Sequence, residues 1–129
     1  DVHTPLLSQL IVYKWLTEYD FEAHISKIVD IYRRKLNLLC DCLDKELGDF
    51  LEYQRPEGGL FIWAKLPDGV DMLEFCKKSS AAGVSVVPGN AFLTDFADPC
   101  SYIRLNFSTP SDEDIVKGVK LLGEVAKTY

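Results

Sequence analysis

The heptapeptide Tyr102-Ile103-Arg104-Leu105-Asn106-Phe107-Ser108 concentrates groups able to do chemistry. In an extended strand successive side chains point to opposite faces. Ile103, Leu105 and Phe107 therefore share one side, and Tyr102, Arg104 and Asn106 the other. The apolar side belongs on a core. The opposite side offers a guanidinium between a phenol and an amide, a set able to hold a planar anion. The rigid fork of Arg matches a carboxylate through two parallel hydrogen bonds. Spacing alone leaves a second reading open, in which Arg104 is a solvated residue on the outer face of a sheet.

The bulk properties narrow the choice mainly by exclusion. The 129 residues fit one domain with a real core, and 47% hydrophobic with 26% charged residues is an ordinary globular composition. A net charge of −6 argues against a nucleic-acid partner, whose phosphates call for Lys and Arg. No apolar run reaches the ~18 residues of a membrane helix, so no membrane partner is expected, and no signal peptide is visible. Cys40 and Cys42 fall two apart on an expected helix and do not face each other. Together with Cys76 and Cys100 they are expected as reduced thiols of a cytoplasmic protein. His3 and His24 lack metal-ligand spacing, and no metal is expected.

The elements that must position Arg104 are read in chain order. A first helix over about residues 5–19 carries Leu6, Leu7, Leu10, Ile11, Val12, Tyr13, Trp15 and Leu16, more than a one-sided apolar stripe. Such a helix wants cover on several sides, which suggests a chain cut from something larger. Asp20 caps a long second helix whose stripe is Phe21, Ile25, Ile28, Tyr32, Leu36, Leu39, Leu43 and Leu47, stopped at Gly48. Its basic run Arg33-Arg34-Lys35 is expected as a solvated face. Residues 50–55 and 60–66 are expected as an antiparallel strand pair across Gly58-Gly59. Asp71 with Glu74 resembles a capping box for a third helix burying Met72, Phe75 and Cys76 and ending before Gly83. A short strand over 84–87, a turn at Pro88-Gly89-Asn90 and the Arg104 strand follow. A last helix opens at Thr109-Pro110, with Pro in its first turn and Ile115, Val119, Leu122 and Val125 buried. The order implies an α+β fold: a small, largely antiparallel sheet with helices packed on one face, preceded by a long interdomain helix. The other face of the sheet, with Arg104, stays free for a ligand or another domain.

Three motifs, in order and with matching spacing, carry a resemblance: Pro56-Glu57-Gly58-Gly59-Leu60-Phe61-Ile62-Trp63, Gly83-Val84 with Val87-Pro88-Gly89-Asn90-Ala91-Phe92, and the Arg104 heptapeptide. They resemble the C-terminal small domain of class I/II, fold-type-I pyridoxal-phosphate aminotransferases, in the aminoadipate/kynurenine branch that also holds the aminotransferase-like half of MocR-type regulators. The opening His3-Thr4-Pro5 to Gln9 resembles that branch's entry into its interdomain helices. The resemblance covers essentially all of residues 1–129, with about 1–20 as a linker helix.

The resemblance implies that Arg104 binds the substrate α-carboxylate, that Phe61 and Phe92 close over the substrate side chain, and that Asn90 belongs to the same substrate-binding set. Phe61 and Phe92 also admit a plain core role. Gly58 and Gly59 would supply positive φ and close approach, and Gly89 the turn presenting Phe92. The cofactor implied is pyridoxal 5'-phosphate, which needs a Schiff-base lysine, an acid for its ring nitrogen and phosphate ligands. No lysine here sits in a motif resembling the catalytic one, so no catalytic or cofactor-binding residue is expected in these 129 residues. Those groups would belong to a large domain absent from this chain. The full-length parent, a homodimer by resemblance, would move an amino group from an amino acid to a 2-oxo acid, and this piece alone would be inactive. Two rivals remain: an effector-sensing domain of a MocR-type regulator, and a non-catalytic carboxylate-binding or interaction module.

Overall fold

Capping side chains at Asp20, Asp71 and Ser111 open three of the four described α-helices. The computed structural model describes residues 4–129. His3, with its part in the metal argument and in the opening resemblance, lies outside the described residues. Two compact units divide the chain, the second being Tyr32–Tyr129. In the first, α1 (Leu6–Glu18) follows Pro5, which stands as the N-cap residue and not within the first turn. Its described residues bury nothing, and Leu7 is 71% exposed. The Trp15 ring meets Phe21 and His24 edge-on at 5.4 and 5.2 Å. The Asp20 carboxylate accepts from the Ala23 amide at 2.9 Å and so opens α2 (Phe21–Glu46).

Only the C-terminal half of the α2 stripe is buried, from Leu36 through Leu39, Cys40 and Leu43 to Leu47 just past its end. Phe21 is exposed and Ile25, Ile28 and Tyr32 are half-buried, so the expected eight-residue stripe overstates the contact. The core of the second unit stops at Leu36. The basic run is also not simply solvated: Arg34 pairs with Asp112, and the Lys35 ammonium donates to the carbonyls of Ser108, at 3.0 Å, and Pro110. These contacts tie α2 to the start of the last helix.

The sheet has the order β1-β2-β4-β3, all antiparallel: β1 (Glu52–Tyr53), β2 (Phe61–Lys65), β3 (Val87–Pro88) and β4 (Tyr102–Asn106). Ile62 and Ala64 of β2 and Ile103 and Leu105 of β4 point to one side and are buried among residues of α2, α3 (Met72–Ala81) and α4 (Asp112–Ala126). Each large apolar side chain so buried contributes about 1.5–3 kcal/mol. The other face carries Phe61, Trp63, Tyr102 and Arg104, as an α+β domain with helices on one face requires.

Four local expectations change. The strand expected over 84–87 shrinks to Val87–Pro88, because the Val84 amide is committed to ending α3. It donates to the Ser79 carbonyl at 2.9 Å while Gly83, at φ +96°, donates to that of Ser80 at 3.0 Å. The turn at Gly89 is a 3-10 helix, Gly89–Phe92. The last helix begins at Asp112, not at Pro110, because Ser111 caps it: its hydroxyl accepts from the Asp114 amide at 3.1 Å. The strand expected over 50–55 is likewise reduced to Glu52–Tyr53, since Phe50 ends a 3-10 turn from Gly48. The Asp71 cap on the Glu74 amide at 2.8 Å and the buried Ile115, Val119, Leu122 and Val125 are as expected. Cys76 is only half-buried, and all four cysteines are free.

Candidate functional site

Arg104 sits at the middle of β4, with Trp63 of β2 directly opposite on one side and Val87 of β3 on the other. Side chains so paired, and those diagonal to them, share the free face, and a diagonal neighbour is within reach of a long or aromatic side chain. Phe61, diagonal to Arg104, lays its ring under the guanidinium with the Cζ atom 4.0 Å from the ring centroid. Phe92, delivered by the Gly89–Phe92 turn, covers it from a second direction at 4.7 Å. The structure therefore brings Arg104, Phe61 and Phe92 together, and both rings engage the guanidinium itself.

No carboxylate among the described residues pairs with Arg104. Its Nε is buried and has no hydrogen-bond partner. The two terminal nitrogens are neither hydrogen-bonded nor among the buried polar atoms without a partner, so they are the donors left for a ligand. A guanidinium held between aromatic faces keeps its charge and its N–H groups uncommitted. A carboxylate neighbour would instead have consumed both.

The flanking amide and phenol do not join it. Asn106 is occupied in the turn after β4, its Oδ1 accepting from the Ser108 amide at 2.7 Å and from the Ser108 hydroxyl at 2.8 Å. This corrects the reading of Tyr102, Arg104 and Asn106 as one anion-holding set: a short polar side chain beside a turn satisfies the local backbone first. Tyr102 stacks on Trp63, with ring centroids 5.4 Å apart and planes 8° from parallel. Asn90 lies in the same turn as Phe92, and its amide donates to the Phe96 carbonyl at 3.3 Å, bracing the loop that follows.

Two glycines shape the approach of these groups. Gly59 takes φ +82° just before β2, a conformation that disfavours any side chain, whereas Gly58, expected to do the same, does not take positive φ. At Gly89 an added Cβ would lie 2.5 Å from the Tyr102 carbonyl oxygen and 2.6 Å from the Cys100 sulfur. Only glycine lets the turn carrying Phe92 pass so close to β4.

Sequence reasoning passed over Trp63 as a site residue. It is opposite Arg104, stacks on Tyr102 and meets Phe92 edge-on at 5.5 Å. The signal was there, since Phe61 and Trp63 alternate onto one face, but the mixed apolar run 60–66 hid it. An open cleft of about 740 Å³ adjoins this face, with Glu57, Phe61, Trp63 and Tyr102 among its walls. Phe61 is common to the cleft and the guanidinium.

No family model matches the chain. The aromatic-amino-acid aminotransferase 1 of Thermococcus litoralis is 35% identical over 98% of this chain and 30% of its own length. The structure of the alpha-aminoadipate aminotransferase LysN from Thermus thermophilus, complexed with N-(5'-phosphopyridoxyl)-L-leucine, superposes with a TM-score of 0.88. It is 31% identical and is matched over 99% of this chain and 32% of its own. The uncharacterized HTH-type transcriptional regulator YdfD of Bacillus subtilis is 26% identical over 98% of this chain and 26% of its length. The chain thus spans about a third or less of the relatives it matches. Its sequence and its α+β fold together place it in the class I/II, fold-type-I pyridoxal-phosphate aminotransferase family, as the C-terminal small domain of such a protein.

Proposed function

We propose that this chain is the substrate-gripping domain of an aminotransferase that moves an amino group from an amino acid to a 2-oxo acid, with Arg104 binding the α-carboxylate of both. One observation carries the proposal. A half-buried guanidinium stands on the open face of the sheet between the Phe61 and Phe92 rings, without an acidic partner and with its terminal nitrogens free. A planar monoanion is the ligand such a fork fits through two points.

Pyridoxal phosphate, which the family implies, does not fit the described residues. It needs a lysine, an acid and several phosphate donors converging on one place. The free face offers aromatic rings, Arg104 and Lys65, the last paired with Asp68 at 3.4 Å. The proposal therefore assigns the cofactor and its lysine to a large domain outside these 129 residues. It assigns residues of about 1–20 to a linker helix between the two, and a homodimer to the full protein. The free thiols of Cys40, Cys42, Cys76 and Cys100 suit a reducing compartment, the cytoplasm. No helix among the described residues is long and apolar enough to cross a membrane.

The likeness to a helix-turn-helix regulator supports a second reading, in which the same grip senses an amino acid or the cofactor and a further domain meets DNA. The deciding experiment mixes the full-length protein with pyridoxal phosphate, an amino acid and a 2-oxo acid and follows both new products. Stoichiometric exchange of the amino group supports the enzyme. No exchange, with amino-acid-dependent DNA binding, supports the regulator. A companion experiment treats the 129-residue chain with pyridoxal phosphate and borohydride. Stoichiometric labelling of one lysine would show that the cofactor site is in this chain after all.

A further inference from the structure

The Arg104 side chain has no ion pair and no hydrogen bond to another described residue, and the contacts to its guanidinium are those of the Phe61 and Phe92 rings. Phe61 is built into β2 and needs little support. Phe92 is not so fixed: it ends a single 3-10 turn and is 49% exposed. Its ring contacts are the edge-on one to Trp63 and the cation–π one to Arg104. Trp63 in turn is held flat against Tyr102 and anchored in the middle of β2. The order of support is Tyr102, Trp63, Phe92, Arg104.

We propose that Trp63 is a positioning residue for carboxylate binding, orienting Arg104 through Phe92 without touching the ligand's carboxylate. The inference rests on the reading of Arg104 as the carboxylate clamp. A guanidinium is a flexible group whose ordering on binding subtracts from affinity. Aromatic faces order it beforehand and leave its N–H groups free for the ligand. Loss of Trp63 frees the Phe92 ring and, with it, one face of Arg104. Edge-to-face pairs contribute modestly, so the effect is a graded loss of grip and not its abolition.

The test uses the full-length protein with its cofactor, in four forms: unaltered, Trp63→Leu, Trp63→Phe and Arg104→Lys. The first readout is the amino-acid concentration that half-completes the change in cofactor absorbance without a 2-oxo acid present. The second is KM against kcat for the amino acid and the 2-oxo acid. Trp63→Leu is expected to raise the half-saturating concentration and both KM values about three- to tenfold, with a smaller loss in kcat. Trp63→Phe, which keeps an aromatic edge for Phe92, is expected to recover most of the loss. An amine lacking the carboxylate should respond the same in Trp63→Leu as in the unaltered protein. If Arg104→Lys weakens the amino acid while Trp63→Leu does not, the positioning role is wrong and the clamp stands. If Trp63→Leu affects amine and amino acid alike, or Trp63→Phe recovers nothing, Trp63 is structural. If Arg104→Lys itself leaves the carboxylate dependence intact, both readings fall.

Discussion

The guanidinium carbon of Arg104 stands 4.0 Å from the centre of the Phe61 ring, and no carboxylate among the described residues pairs with it. Replacing Phe61 by Leu keeps the apolar bulk and removes the π face. A partly desolvated cation–π contact is worth about 1 kcal/mol. Phe61→Leu is therefore expected to weaken amino-acid binding to the full-length protein roughly fivefold. Calorimetric unfolding should change little, because the ring is 38% exposed. An unchanged affinity would show that Phe61 does not order the guanidinium.

The passage of the Phe92 turn under β4 makes a sharper demand. A Cβ at Gly89 would meet the backbone oxygen of Tyr102 at 2.5 Å, and backbone gives way less readily than a side chain. Gly89→Ala is expected to cost about 1–3 kcal/mol in urea unfolding, as overpacking does. It should also weaken carboxylate binding, because Phe92 moves with the turn. A variant as stable as the parent with full affinity would contradict the close approach.

Alkaline pH probes the thiols on the core side. Burial pushes the Cys76 thiol up to about 11, from an ordinary 9.0, and burial raises Cys40 and Cys42 as well. The unfolded chain therefore ionises first as pH rises past 9 and gains stability relative to the native form. The contribution of Cys76 is fully present below pH 9 and is lost as pH climbs through about 11. Urea midpoints measured at pH 8 and at pH 10.5 should fall over this window, and fall less in Cys76→Ala. An equal fall in both would remove Cys76 from the account.

The first helix carries Leu6, Leu7, Leu10 and Ile11 all more than half exposed. Each large apolar side chain left in water forgoes about 1.5–3 kcal/mol. The 129-residue chain, prepared alone, is expected to self-associate through α1, and Leu7→Asp with Ile11→Asp to reverse it. Sedimentation of the two forms decides. A monomeric chain with that helix ordered in water would overturn the expectation.

The strand pattern around Arg104 was legible because period-2 alternation fixes both faces at once: Ile103, Leu105 and Phe107 are buried, and Tyr102 and Arg104 point away. Caps at Asp20 and Asp71 were legible for the same local reason. Side-chain choices among competing partners were not. Asn106 turned to the Ser108 backbone, and Lys35 to carbonyls more than seventy positions on, at Ser108 and Pro110. The extent of the α2 stripe was also invisible, since a helix repeats its pattern beyond the core that covers it. Trp63 was visible as a strand residue and not as a support for Phe92, a contact made only once the turn at Gly89 brings that ring back over the sheet.

That Arg104 grips a carboxylate is decided most sharply by Arg104→Lys in the full-length protein. Lysine keeps the charge and loses the planar two-point contact. A hydrogen bond to a charged group is worth about 1.5–3 kcal/mol. The expected result is a fall in kcat/KM of at least about tenfold for amino acid and 2-oxo acid alike. Cofactor affinity and the melting temperature should hold, and an amine without the carboxylate should be nearly indifferent. Unfolding of the variant, or equal losses for acid and amine substrates, would make Arg104 structural and contradict the assignment.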